Sequence, residues 1–82
     1  MSESVQQILT FVRNRYPQEQ FDQAQDIFAL GFVNSLFAME LVLFLEKTFG
    51  ITIPNNELQI DNFRSANLMA ELVERQRSAA VA

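Results

Sequence analysis

Ser35 follows Asn34 and opens the most apolar stretch of an 82-residue chain, a run from Phe37 to Phe49 closed by Gly50. Asparagine is a good N-cap residue, because its side-chain oxygen can accept from a free N–H of the first turn. Gly31 supplies the flexible backbone that a turn into the helix needs. At the other end, Lys47 sits where the helix dipole favours a cation and Gly50 where helices commonly stop. The spacing therefore predicts a helix over residues 34–50 with Ser35 in its first turn. Free N–H groups and the positive end of the dipole make such a helix end a site for phosphate. The chemistry on offer is a hydroxyl that carries a phosphodiester whose charge is already accommodated. The plainer alternative is a first-turn serine with no chemistry at all.

Catalysis by this chain is not expected. It contains no histidine and no cysteine, so the usual general base and the strongest nucleophile are missing. Lys47 is the sole lysine, and Glu40 shares a broad face with Ser35, where helix-surface glutamates are nearly always solvated. Without His or Cys no transition-metal site is expected, and the carboxylates lack the alternation of a calcium loop.

The elements that must position Ser35 read as helices. Residues 4–16 form the first, with Ser4 and Gln7 at capping-box spacing and Val5, Ile8, Leu9, Val12 and Tyr16 on one face. Pro17 stops it. Residues 17–30 are a long, Gln-rich connection, expected to be solvated and anchored by Phe21, Ile27, Phe28 and Leu30, with Asp26 capping a short turn over residues 27–30. After Gly50, Ile51, Thr52 and Ile53 precede Pro54 and favour an extended segment. Asn55 and Asn56 can start a turn, and residues 57–63 read as a short helix with Leu58, Ile60 and Phe63 inward. Ser65 caps a last helix over residues 66–76, whose apolar face is Leu68, Met69, Leu72 and Val73. Residues 78–82 are expected to fray. The fold class is all-α: a small four-helix bundle of three long helices and one short one, with a long loop between the first and second.

The Ser helix has more apolar surface than one core can use. At about 100° per residue, Ala38, Leu41, Val42, Leu45 and Phe49 make a core stripe. Leu36, Met39 and Leu43 fall nearly opposite, beside Glu40 and Lys47, with Phe37 and Phe44 between. Either the bundle and loop wrap the surplus, or Leu36, Phe37, Met39, Glu40 and Leu43 form a docking surface for partner proteins.

Length allows one small domain, residues 1–82. A net charge of −4 and a pI near 4.5 argue against nucleic acid. The start of the chain has no basic and apolar signal pattern, and the apolar run is too short to span a bilayer. A cytoplasmic monomer without membrane insertion is expected.

The run from Leu30 to Leu41 (Leu-Gly-Phe-Val-Asn-Ser-Leu-Phe-Ala-Met-Glu-Leu), continuing through Leu45-Glu46-Lys47-Thr48-Phe49-Gly50-Ile51, resembles acyl carrier proteins. Their Gly-x-x-Asp-Ser-Leu or Gly-x-Asp-Ser-Leu motif holds the serine that receives 4′-phosphopantetheine. The resemblance covers the whole chain and implies Ser35 as acceptor, with Asn34 capping the helix in place of the usual Asp. The spacing between Gly31 and Asn34 is nearer to D-alanyl carrier proteins and free-standing carriers than to the fatty-acid type. Phe37 occupies a position commonly acidic in the fatty-acid type, which implies docking by apolar contact. The resemblance further implies work with a phosphopantetheinyl transferase, with acyl-loading and acyl-modifying enzymes, and with an acyltransferase or ketosynthase of a synthase. It points to a polyketide or hybrid polyketide–peptide pathway, with a hydroxymalonyl, methoxymalonyl or aminomalonyl unit among the loads. A helical interaction module without a prosthetic group is the alternative.

Overall fold

The computed structural model describes residues 3–31 and 33–81, with side chains described through residue 79. Three α-helices, α1 (Glu3–Arg15), α2 (Ser35–Phe49) and α3 (Ala66–Val81), hold the core, and the described residues contain no strand. The expected fourth helix is replaced by two single 3₁₀ turns, Asn55–Glu57 and Ile60–Asn62. Gln59 between them is extended, and segments this short lack the length over which helical hydrogen bonds become cooperative.

The core takes Val5, Ile8, Leu9 and Val12 from α1, Phe37, Leu41 and Leu45 from α2, and Met69, Leu72 and Val73 from α3. In α1 the buried set falls at the predicted helical spacing. Its start differs: α1 begins at Glu3, so Ser4 lies inside the helix and the Gln7 amide donates to the Glu3 carboxylate at 3.2 Å in place of a capping box. Arg15 reaches Glu40, and Phe11 stacks on Phe44, so α1 and α2 run in opposite directions.

Two anchors of the long connection, Phe21 and Ile27, are buried, and Phe28 packs on the core's edge. Leu30 is exposed, because it belongs to the turn that leads outward to α2. Among the loop glutamines Gln23 is part-buried, its carbonyl accepting from Asn67 N–H at 3.0 Å, while the others are exposed. After α2, Ile51 and Ile53 turn inward around exposed Thr52, as an extended strand-like period of two requires. Glu46 holds that segment by accepting from Ile53 N–H at 2.9 Å. Of the three residues expected inward next, only Phe63 is buried. Leu58 and Ile60 are exposed, because the 3₁₀ turns do not bring them round to the face of Phe63.

Ser65 caps α3 as predicted, its Oγ accepting from Leu68 N–H at 3.1 Å. The helix runs past residue 76 to Val81, so residues 78–81, expected as a loose tail, are helical. The Arg77 guanidinium lies 5.2 Å from the centroid of the Phe49 ring, a cation–π contact that ties this last stretch to α2. Ala82 lies outside the described residues.

Candidate functional site

Asn34 is extended, at φ −120° and ψ −179°, and Ser35 is the first residue of α2. The Asn34 Oδ1 accepts from Phe37 N–H at 3.0 Å, and its carbonyl accepts from Ala38 N–H at 3.0 Å. These are the two bonds of an N-cap, as the sequence predicts. The first N–H groups of a helix have no carbonyl one turn back. Phe37's is taken by Asn34, which leaves those of Ser35 and Leu36 at the same end as the exposed Ser35 side chain.

Upstream, Asp26 organises the approach. Its Oδ1 accepts from Phe28 N–H and Ala29 N–H, both at 3.0 Å, and its carbonyl accepts from Leu30 N–H at 3.1 Å. Gly31 leaves this turn at φ 89°, a left-handed conformation that glycine adopts freely. The bond from Ala29 N–H, aided by the charge of Arg64 and the bond from Phe28 N–H, holds the Asp26 carboxyl below the usual carboxylate range against a smaller opposing effect of desolvation.

Downstream, α2 is pinned by aromatic contacts. Phe37 is 1% exposed, stacked 5.8 Å from Phe11, edge-on to Tyr16 and capped by the Arg15 guanidinium at 5.9 Å. This corrects its assignment to a docking surface: the Phe37 ring points into the angle between α1 and α2, where Phe11 of α1 and Tyr16 just after it cover it. Phe44 stacks on Phe11, with ring centroids 4.1 Å apart. The rest of the surplus apolar stripe is exposed, Leu36 at 70% and Met39 and Leu43 at 63%. Glu40 beside them pairs with Arg15 at 3.7 Å. On the core stripe, Leu41 and Leu45 are fully buried, while Ala38, Val42 and Phe49 are only half-buried.

Beside the exposed stripe lies a cleft of about 190 Å³ between α2 and the 3₁₀ segment, walled by Phe28, Ala38, Met39, Val42, Leu58 and Ile60. The sequence pattern puts Leu58 and Ile60 in the core, whereas both are exposed and wall this cleft. The usable signal was that each is an isolated apolar residue in a polar stretch that lacks helical periodicity.

The residues present fit a phosphodiester on Ser35. The hydroxyl is exposed, two first-turn N–H groups stand at the same helix end, and no acidic residue occupies that turn. Among the described residues no cluster of acidic side chains could hold a metal ion, and no helix is long and apolar enough to cross a membrane.

A family model described as a phosphopantetheine attachment site matches residues 4–73. The D-alanyl carrier protein of Streptococcus mutans is 34% identical over 55 residues, 67% of this chain and 70% of that protein. The D-alanyl carrier protein of Lactobacillus delbrueckii subsp. bulgaricus is 29% identical over 51 residues, 62% of this chain and 64% of that protein. The D-alanyl carrier protein of Streptococcus sanguinis is again 34% identical over 55 residues, with 67% and 70% covered. No solved structure matches.

Proposed function

The chain belongs to the phosphopantetheine-attachment-site family of acyl carrier proteins, whose cofactor is 4′-phosphopantetheine held covalently on a serine, and from that premise we propose that Ser35 is the serine. The observation that carries the proposal is the exposed Ser35 hydroxyl at the first helical position of α2, with the Asn34 cap behind it. In the modification, Ser35 Oγ bonds to the phosphorus of coenzyme A that bears the pantetheine. The pyrophosphate P–O bond breaks, adenosine 3′,5′-bisphosphate leaves, and the hydroxyl proton passes to the transferase. The N–H groups of Ser35 and Leu36, at the same helix end, would be the ones available to the phosphodiester charge.

When bound, the arm supplies a terminal thiol that holds an acyl group as a thioester. The chain itself supplies a fixed post and a surface that selects partners, and tethering raises the load's effective concentration at their active sites. This division of labour suits a non-catalytic protein without His or Cys. The docking surface we propose is Leu36, Met39 and Leu43 with Glu40 at its edge, supported by their exposure next to Ser35. Its partners are a phosphopantetheinyl transferase and acyl-loading and acyl-handling enzymes, met in the cytoplasm by a monomer.

The matched relatives are D-alanyl carriers and support a D-alanyl or similar small aminoacyl load. The motif around Asn34 and Ser35 supports the second reading, an extender unit of a polyketide or hybrid pathway. Intact mass of the carrier from its own cells separates the two by the mass on the arm. The priming test is intact mass after incubation with coenzyme A and a broad-specificity transferase. A phosphopantetheine gain that vanishes in Ser35→Ala is expected. A gain that survives the substitution refutes Ser35 as acceptor and places the arm on another residue, whereas no gain refutes Ser35 and returns the interaction module without a prosthetic group.

A further inference from the structure

We propose that Asp26 and Arg64 form a clasp that sets the position of Ser35 for modification, with Asp26 as its positioning residue; the proposal rests on Ser35 being the acceptor. The two residues are 38 apart in sequence, and their side chains meet at 3.1 Å. A second bond runs alongside, from Ile27 N–H to the Arg64 carbonyl at 2.7 Å. Asp26 uses both carboxylate oxygens: Oδ1 builds the turn over Phe28 and Ala29, and Oδ2 ties that turn to Arg64.

Arg64 is itself held. Its Nε donates to Asp61 at 2.8 Å. Its neighbours Phe63, Ser65 and Ala66 are buried, and Ser65 caps α3. The clasp therefore fastens the segment leading to Ser35 onto the start of α3, across the fold. It also sets Phe28, which forms one wall of the cleft beside Met39 and Val42.

Magnitudes favour positioning over plain stabilisation. The side chains of Arg64 and Asp26 are 39% and 36% exposed, and ion pairs so exposed contribute little to stability. Buried Ile27 already anchors the segment. What the charge pair adds is direction, and small misplacements of a reacting group are costly in rate.

Asp26→Asn keeps an oxygen for the turn and loses the one that pairs with Arg64. Arg64→Gln removes the other partner. Each should lower kcat for phosphopantetheine transfer from coenzyme A onto Ser35 by about tenfold, with less than about twofold change in KM. Arg64→Lys, which restores the charge without the fork, should recover part of the loss. Arg75→Ala, which breaks the similarly exposed Arg75–Glu57 pair, should keep the wild-type kcat. Wild-type kcat in both clasp variants, or an equal loss in Arg75→Ala, overturns the proposal. Amide exchange needs no transferase: Ile27, Phe28, Ala29 and Phe37 should exchange about two- to fivefold faster in Asp26→Asn. Unchanged exchange at all four also overturns it. A wild-type chain that gains no mass refutes Ser35 as acceptor, and the exchange data alone then judge the clasp.

Discussion

The Phe37 ring stands edge-on to the Tyr16 ring, with centroids 4.9 Å apart and planes at 84°. This contact joins the first turn of α2 to the end of α1 and fixes the helix end that bears Ser35 two residues before Phe37. Phe37→Ala should cost about 3–5 kcal/mol in urea unfolding, whereas exposed Leu36→Ala should change stability by less than about 0.5 kcal/mol. Equal losses would remove the distinction between these adjacent residues.

Met39 and Leu45 test the two faces of α2. Leu45 is fully buried, and Leu45→Ala should cost about 2–5 kcal/mol. Met39→Ala should leave folding nearly intact and slow loading by a dedicated partner enzyme. The measurements are thermal unfolding of both variants and loading rates. A Met39→Ala variant as unstable as Leu45→Ala would make Met39 a core residue.

The cap at Asn34 separates hydrogen bonding from charge. Asn34→Ala removes the bond to Phe37 N–H and should cost about 1 kcal/mol. Asn34→Asp retains it and adds a favourable charge at the helix start, about 0.3–1 kcal/mol in the unmodified protein. The gain should shrink once Ser35 bears a phosphodiester, because the two anions then share one helix end. Unfolding of the unmodified and modified forms at low salt measures both.

Asp26 predicts an acid limit. Its folded-state titration lies below the usual carboxylate range, so its contribution to stability is present above the unfolded value and is lost as pH falls through the folded one. NMR titration of the Asp26 carboxyl should show the depressed midpoint. Arg64→Gln should raise the midpoint only part of the way, because the leading cause is the bond from Ala29 N–H. A midpoint unaffected by Arg64→Gln would remove Arg64 as a contributor.

Gly50 ends α2 in the left-handed region at φ 64°, where its N–H reaches the Glu46 carbonyl. A Cβ there would meet nothing within 4 Å, so Gly50→Ala tests backbone strain alone. The expected cost is about 1–2 kcal/mol in thermal unfolding.

Local chemistry made much of this protein legible in its sequence. The Asn34 and Ser65 caps, the Gly50 stop, the Asp26 turn and the period of α1 each depend on neighbours within about one helical turn. The exposure of Leu36, Met39 and Leu43 and the burial of Leu41 and Leu45 followed from the period of α2, and the Asn34 cap put Ser35 at its first position.

Tertiary structure decided what falls between the stripes and across the fold. Phe37 lay at a boundary angle, and only the rings of Phe11 in α1 and Tyr16 just after it made it core. Leu58 and Ile60 were apolar without a period, and the 3₁₀ turns that carry them put both at a cleft instead. The Asp26–Arg64 pair joins residues 38 apart, beyond the reach of any spacing rule. Sequence by itself determines the contacts a residue makes with its own helix or turn. Which distant surface covers that helix or turn depends on chain packing, and packing settled the neighbourhood of Ser35.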